Sequence, residues 1–201
     1  LEPVELRTVW AREAQDFTPW LAREDNLALL ADTVGLDLEL ITTEKPIGPY
    51  RADIVCKDTV SERLVLIENQ IETTDHTHMG QLITYAAGLD AVTIVWIAKR
   101  FTEEHRAALD WLNESTNRNV DFFGLEIELW RIGDSAIAPK FNIISQPNDW
   151  IKLAASERAN VVEGLTPTKE LQLEYWQDFQ RLVAERSTIV KARKGLPQHW
   201  S

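Results

Sequence analysis

Between residues 19 and 34, Leu21, Leu27, Leu30 and Val34 fall near one helical face and Gly35 stops the run, so the spacing predicts a first helix. The period then changes. LDLELITTE (36–44) alternates apolar and polar residues, YRADIVCKD (50–58) follows a Pro/Gly-rich KPIGPY turn, and RLVLIENQI (63–71) is apolar until its end. Three strands joined by such short connections predict an antiparallel meander. Helical spacing returns over 78–89, with Leu82, Tyr85, Ala86 and Leu89 inward. AVTIVWIA (91–98) is continuously apolar and β-branched, which predicts a strand covered on both faces. Thr102 caps a further helix that carries Glu103 and Glu104 in its first turn and runs to about residue 117. Strands are expected near 120–123 and 126–132, with a further one at 140–145.

This order describes an α/β protein with a mixed central sheet flanked by helices. It carries no Gly-rich phosphate loop and no internal repeat, which argues against a doubly wound nucleotide fold. The character changes after Trp150, so the expected division is a domain over 1–150 and a separate segment over 151–201. That segment reads as a short helix, a linker (EGLTPTKE) with Thr166 or Thr168 as a cap, an amphipathic helix at 171–186 and a basic tail, KARKGLPQHWS. A helix so apolar with nothing after it to pack on reads as the start of a C-terminal domain that continues beyond Ser201. Leu1 in place of Met likewise suggests a trimmed or processed start.

Composition narrows the classes. A formal net charge of −11 argues against a surface that binds nucleic acid everywhere, while leaving room for a local basic groove or for carboxylates that hold a cation. Cys56 is the single cysteine, so an intrachain disulfide and a Cys-based metal site are both excluded; on an apolar strand it reads as a small buried hydrophobe. Eight Trp call for a sizeable core or an interface. With no signal peptide and no 18-residue apolar run, the expectation is a cytoplasmic protein without a membrane partner.

The chemistry concentrates at strand ends. Asp53 and Glu68 lie on neighbouring strands of the meander, where pairing can bring both carboxylates to one edge of the sheet. Period-2 alternation puts Glu68 and Gln70 on one face and Asn69 on the other. Two convergent carboxylates suit a hard cation such as Mg²⁺, whose other positions go to water and phosphate oxygens. Otherwise these are strand-end acids in salt bridges with Arg51 or Arg63. His76 and His78, in a loop rich in Thr and Asp, could serve as a ligand or general base, contact substrate, or simply begin the next helix with Asp75 or Thr77 as its cap. The Glu126/Glu128 alternation reads as a solvated sheet face.

Asp53 followed by Glu68-Asn69-Gln70 on the next strand resembles the signature of the PD-(D/E)XK nuclease superfamily, the restriction-endonuclease-like fold. Gln81-Leu-Ile-Thr-Tyr85 is similar to the Q-x-x-x-Y element of its RecB-type branch, and the αβββαβ order is that superfamily's core order. The likeness covers roughly residues 19–98. The 70–88 stretch and TPTKELQLEYW also resemble uncharacterised bacterial proteins in which a nuclease-like module precedes a C-terminal domain of unknown function. The resemblance implies a metal-dependent nuclease acting on nucleic acid, DNA foremost. Asp53, Glu68 and Gln70 would be its catalytic residues, and Asp53 and Glu68 its Mg²⁺ (or Mn²⁺) ligands, joined by Glu24, or failing it Asp25. Gln81, Tyr85, His76 and His78 would support the site or touch substrate, and a homodimer that cuts both strands is compatible. Two positions depart from the pattern. Ala52 replaces the proline before the first acid, which supplies no ligand. Gln70 replaces the lysine, and a neutral amide cannot supply its charge. The rival expectation is therefore an inactive domain of the same fold, serving as a nucleic-acid-binding or protein-interaction scaffold; in a third, a Trp-rich surface docks onto the missing C-terminal part.

Overall fold

The computed structural model describes residues 1–47, 50–89, 92–116 and 120–147. The expectations for 151–201 lie outside these residues.

Seven strands in this region form one sheet. β1 (Glu2–Val4), β2 (Leu38–Ile47), β3 (Tyr50–Asp58), β4 (Leu64–Asn69), β5 (Val92–Ala98), β6 (Val120–Arg131) and β7 (Ala138–Ser145) are accompanied by helices α1 (Thr18–Leu21), α2 (Glu24–Val34), α3 (His76–Gly88) and α4 (Glu103–Ser115). β2, β3 and β4 make the expected antiparallel meander. β4–β5 and β5–β6 are parallel pairs, their crossovers supplied by α3 and α4. β7 returns antiparallel on β6, and β1 pairs with the far end of β6. The sheet is therefore mixed, with the αβββαβ order expected from the sequence.

Two apolar layers hold it. On one face Leu27, Leu30 and Val34 of α2 pack with Ile54, Cys56, Val65, Ile67 and Val95. On the other, Leu82 and Tyr85 of α3 and Leu109 and Leu112 of α4 pack with Val55, Leu66, Ile94, Trp96 and Phe122. β5 is buried at every residue because it contributes to both layers, and this explains its unbroken apolar run. Cys56 is buried on β3, and burial pushes its thiol up to about 12, which suits an inert core residue.

Several expectations change. The first helix is broken between Leu21 and Glu24: Arg23 is extended (φ −70°, ψ 144°) and starts α2, while Asn26 Nδ2 reaches back to the Trp20 carbonyl at 2.7 Å across the break. Gly35 does end α2, in left-handed geometry (φ 76°). The strands expected at 120–123 and 126–132 are one. Gly124 interrupts the sequence pattern but not the strand, because α4 packs there: a Cβ would lie 2.8 Å from Leu109 Cδ1 and 3.1 Å from the Phe101 ring. Glu126 and Glu128 do not form a merely solvated face. Glu126 Oε1 accepts the Phe101 N–H at 2.7 Å and Glu128 Oε2 accepts Trp130 Nε1–H at 2.9 Å.

Candidate functional site

In the meander Ile54 pairs with Ile67, and the same register continued by one residue sets Asp53 across from Glu68. Facing residues on adjacent strands point to the same side of a sheet. The side is that of α3, whose Tyr85 hydroxyl donates to Glu68 Oε2 at 3.3 Å. Glu68 is 3% exposed, and neither it nor Asp53 forms an ion pair among the described residues. Arg63 instead pairs with Asp121 at 2.6 Å, so it does not hold the strand-end acids. Burial there outweighs the Arg63 charge and leaves the Asp121 carboxyl above its usual range.

The environment of the pair favours neutral forms or a counter-cation. Burial pushes Glu68 up to about 8, and the charge of Asp53 adds to the rise; the Tyr85 hydroxyl and the Asp53 N–H oppose it. Burial also pushes Asp53 up to about 6, against the hydrogen bonds from Asn69. Glu44 raises both and the nearby His78 ring lowers Asp53. Glu44 had no place in the sequence reading. It lies between the Thr43–Ile54 and Lys45–Ala52 pairs, across from Asp53, and its backbone is left-handed (φ 55°), which is rare for a non-glycine residue. The signal that could have found it is register: β2, β3 and β4 each bring one carboxylate to the same row.

Asn69, read in the sequence only as the residue between two site positions, is a clamp. Its backbone N–H donates to Asp53 Oδ2 at 2.8 Å and its Nδ2 binds the same oxygen. The rest of its amide exchanges hydrogen bonds with Thr18 Oγ1 at 3.1 and 3.2 Å, both residues being almost fully buried. Glu13 Oε2 accepts the Ile71 N–H at 2.9 Å, so the N-terminal segment braces the end of β4 at two points.

Glu24 is not brought to the pair. It is exposed in the first turn of α2, and α2 packs on the opposite face of the sheet from α3. Asp25, its fallback, is exposed beside it. Gln70 is on the expected strand end, but its amide is fully occupied: Nε2 donates to Thr73 O (2.8 Å) and Asp75 Oδ2 (3.3 Å), and Oε1 accepts Trp96 Nε1–H (2.9 Å). Asp75 caps α3, accepting from Thr77 N and His78 N, so both histidines belong to the first turn. Burial works against it, but the His78 and Thr77 donors hold the Asp75 carboxyl below its usual value. His78 Nδ1 meets Asp75 Oδ2 at 2.7 Å. His76 turns elsewhere, its Nδ1 lying 3.0 Å from Nε2 of buried His105, and His105 also contacts Thr74 and Thr102. Burial, reinforced by His76, holds His105 below the usual histidine range. Gln81 is on the face of α3 that carries Tyr85, and its Oε1 is buried without a hydrogen-bond partner among the described residues.

No cluster of three or more His, Cys, Asp or Glu able to hold a metal occurs among the described residues. The donor set of Asp53 and Glu68 is oxygen only. It fits Mg²⁺, which commonly takes one or two carboxylates and keeps several waters, rather than a metal needing a closed protein cage. No helix of the described residues is long and apolar enough to cross a membrane.

No family model matches the chain, and no curated protein does. Among solved structures it is similar to a repair endonuclease from Pyrococcus abyssi (22% identity, TM-score 0.40, 52% of this chain and 46% of the other). It is also similar to the EndoMS protein of an EndoMS–dsDNA2 complex (19%, TM-score 0.37, 50% and 44%) and to SfsA of Pyrococcus furiosus, solved with Ca²⁺ (15%, TM-score 0.33, 55% and 55%). Each match spans about half of either chain.

Proposed function

We propose that the protein is a Mg²⁺-dependent phosphodiesterase acting on nucleic acid, with DNA as the substrate class. Asp53 and Glu68 hold the cation, for which Mn²⁺ can substitute. When bound, it supplies water activation and stabilisation of charge on the phosphate. The chain's own residues set the geometry: Asn69 fixes one oxygen of Asp53, Tyr85 orients Glu68, and Gln81 holds a buried acceptor without a partner among the described residues on the same helix face. The observation that carries the reading is the pair itself. Two carboxylates face each other on adjacent strands, mutually repelling and without an ion pair among the described residues, an arrangement that gains from a shared cation.

The test is calorimetry with Mg²⁺ and Mn²⁺, together with cleavage of plasmid, linear and single-stranded DNA. Binding that Glu68→Ala abolishes, with metal-dependent cutting, is the expected result; absence of binding removes the reading. One observation favours a second reading, a nucleic-acid-binding scaffold without turnover: the Gln70 amide is committed to internal bonds and brings no charge to the acids. Metal binding without cleavage of any of the three substrates would select it.

A further inference from the structure

Hydrolysis at Asp53 and Glu68 is helped by a group that takes the proton of the attacking water, and Gln70 cannot be that group because a neutral amide is not a base and both ends of this one are in use. The same hydrogen-bond chain leads to a residue that can. Trp96 Nε1 holds Gln70 Oε1, Gln70 Nε2 reaches Asp75 Oδ2 at 3.3 Å, and that oxygen holds His78 Nδ1 at 2.7 Å. An imidazole that donates through Nδ1 to a carboxylate carries its proton there, which leaves Nε2 as an acceptor; the carboxylate also stabilises the imidazolium once Nε2 is protonated. Among the described residues nothing occupies His78 Nε2, and the side chain is 26% exposed, enough for water to reach it. Placement agrees with this role. His78, Gln81 and Tyr85 follow one another at three- and four-residue spacing on α3, hence on one face, and Tyr85 of that face touches Glu68. The electrostatic effect of His78 on Asp53 is consistent with that nearness.

We propose that His78, positioned by Asp75 and Gln70, is the general base of the reaction, accepting at Nε2 the proton of the water that attacks a phosphodiester beside Asp53 and Glu68. As the water oxygen bonds to phosphorus its proton passes to Nε2, and the P–O bond to the leaving sugar oxygen breaks. That oxygen takes a proton from solvent, and the imidazolium returns its own to solvent. This rests on the phosphodiesterase reading for its substrate and adds the residue that handles the proton. Asp75 and Gln70 are positioning residues, and His76 bonds through Nδ1 to His105 rather than to Asp75.

Two measurements test it. Long-range ¹H–¹⁵N NMR of the intact protein reads the tautomer without requiring turnover: His78 should carry its proton on Nδ1, and Asp75→Asn, which still caps α3, should abolish that preference. A His78 ring protonated on Nε2 in the neutral form overturns the proposal. Cleavage of a DNA oligonucleotide with Mn²⁺ is the second. His78→Asn keeps a donor for Asp75 and should lower kcat about 100-fold or more with KM within about threefold, as loss of a general base does. His78→Gly should regain activity with added imidazole, which a purely structural role would not give. Wild-type cutting that His78→Asn leaves undiminished removes the inference alone. A wild type that cuts nothing removes the phosphodiesterase reading and the inference with it.

Discussion

Glu68→Gln separates the cost of the buried charge from every other property of the site. The amide keeps the size of the carboxyl and can still accept from the Tyr85 hydroxyl, so packing is retained. The folded chain holds the Glu68 proton up to about 8, against a usual value of 4.5. Over that interval the folded state binds more protons than the unfolded one, so the stability contributed by this proton is fully present below about 4.5, falls as pH rises, and is gone once pH passes about 8. At about 1.4 kcal/mol per pH unit the loss is capped at about 5 kcal/mol. Asp53 beside it is half-buried and lets water follow the charge, so about 2–3 kcal/mol is the expected cost. Glu68→Gln should therefore match the wild type near pH 5 and melt about 5–10 °C higher at pH 9 in metal-free buffer, followed by circular dichroism. Mg²⁺ should raise the wild-type midpoint more at pH 9 than at pH 5, and the variant hardly at all. A melting difference that is the same at both pH values, or a variant less stable at pH 9, would refute the reasoning.

The other predictions test the scaffold. Asn69→Leu strands Thr18 and removes a donor from Asp53, so urea denaturation should show a loss of about 2–3 kcal/mol; a loss below about 0.5 kcal/mol would mean the clamp is idle. Gly124→Ala drives a methyl into Leu109 and Phe101, and should cost about 1–3 kcal/mol by the same assay. Thr102→Ala deletes the cap that accepts the His105 N–H and should cost about 1 kcal/mol, with faster amide exchange in the first turn of α4.

The sequence by itself determined the order of elements, the antiparallel meander, the doubly covered β5 and the caps Gly35 and Thr102, because hydrophobic period and capping chemistry are local signals. It also named Asp53, Glu68 and Tyr85, whose positions follow from alternation in a strand and spacing in a helix. What only the tertiary structure decided depends on register and on which side chains have already found partners. Glu44 joins the acidic row through strand pairing with β3. Asn69 becomes a clamp because Thr18, 51 residues away in sequence, folds beside it. Glu24 is kept apart because α2 and α3 cover opposite faces of one sheet. The clearest case is the difference in hydrogen-bond partners between Gln70 and His78. Both carry polar side chains suited to a site, but Gln70 spends its amide on Thr73, Asp75 and Trp96, whereas His78 is tied through one nitrogen and, among the described residues, open at the other. No sequence pattern encodes that difference, because it arises from the packing of α3 against the ends of β4 and β5.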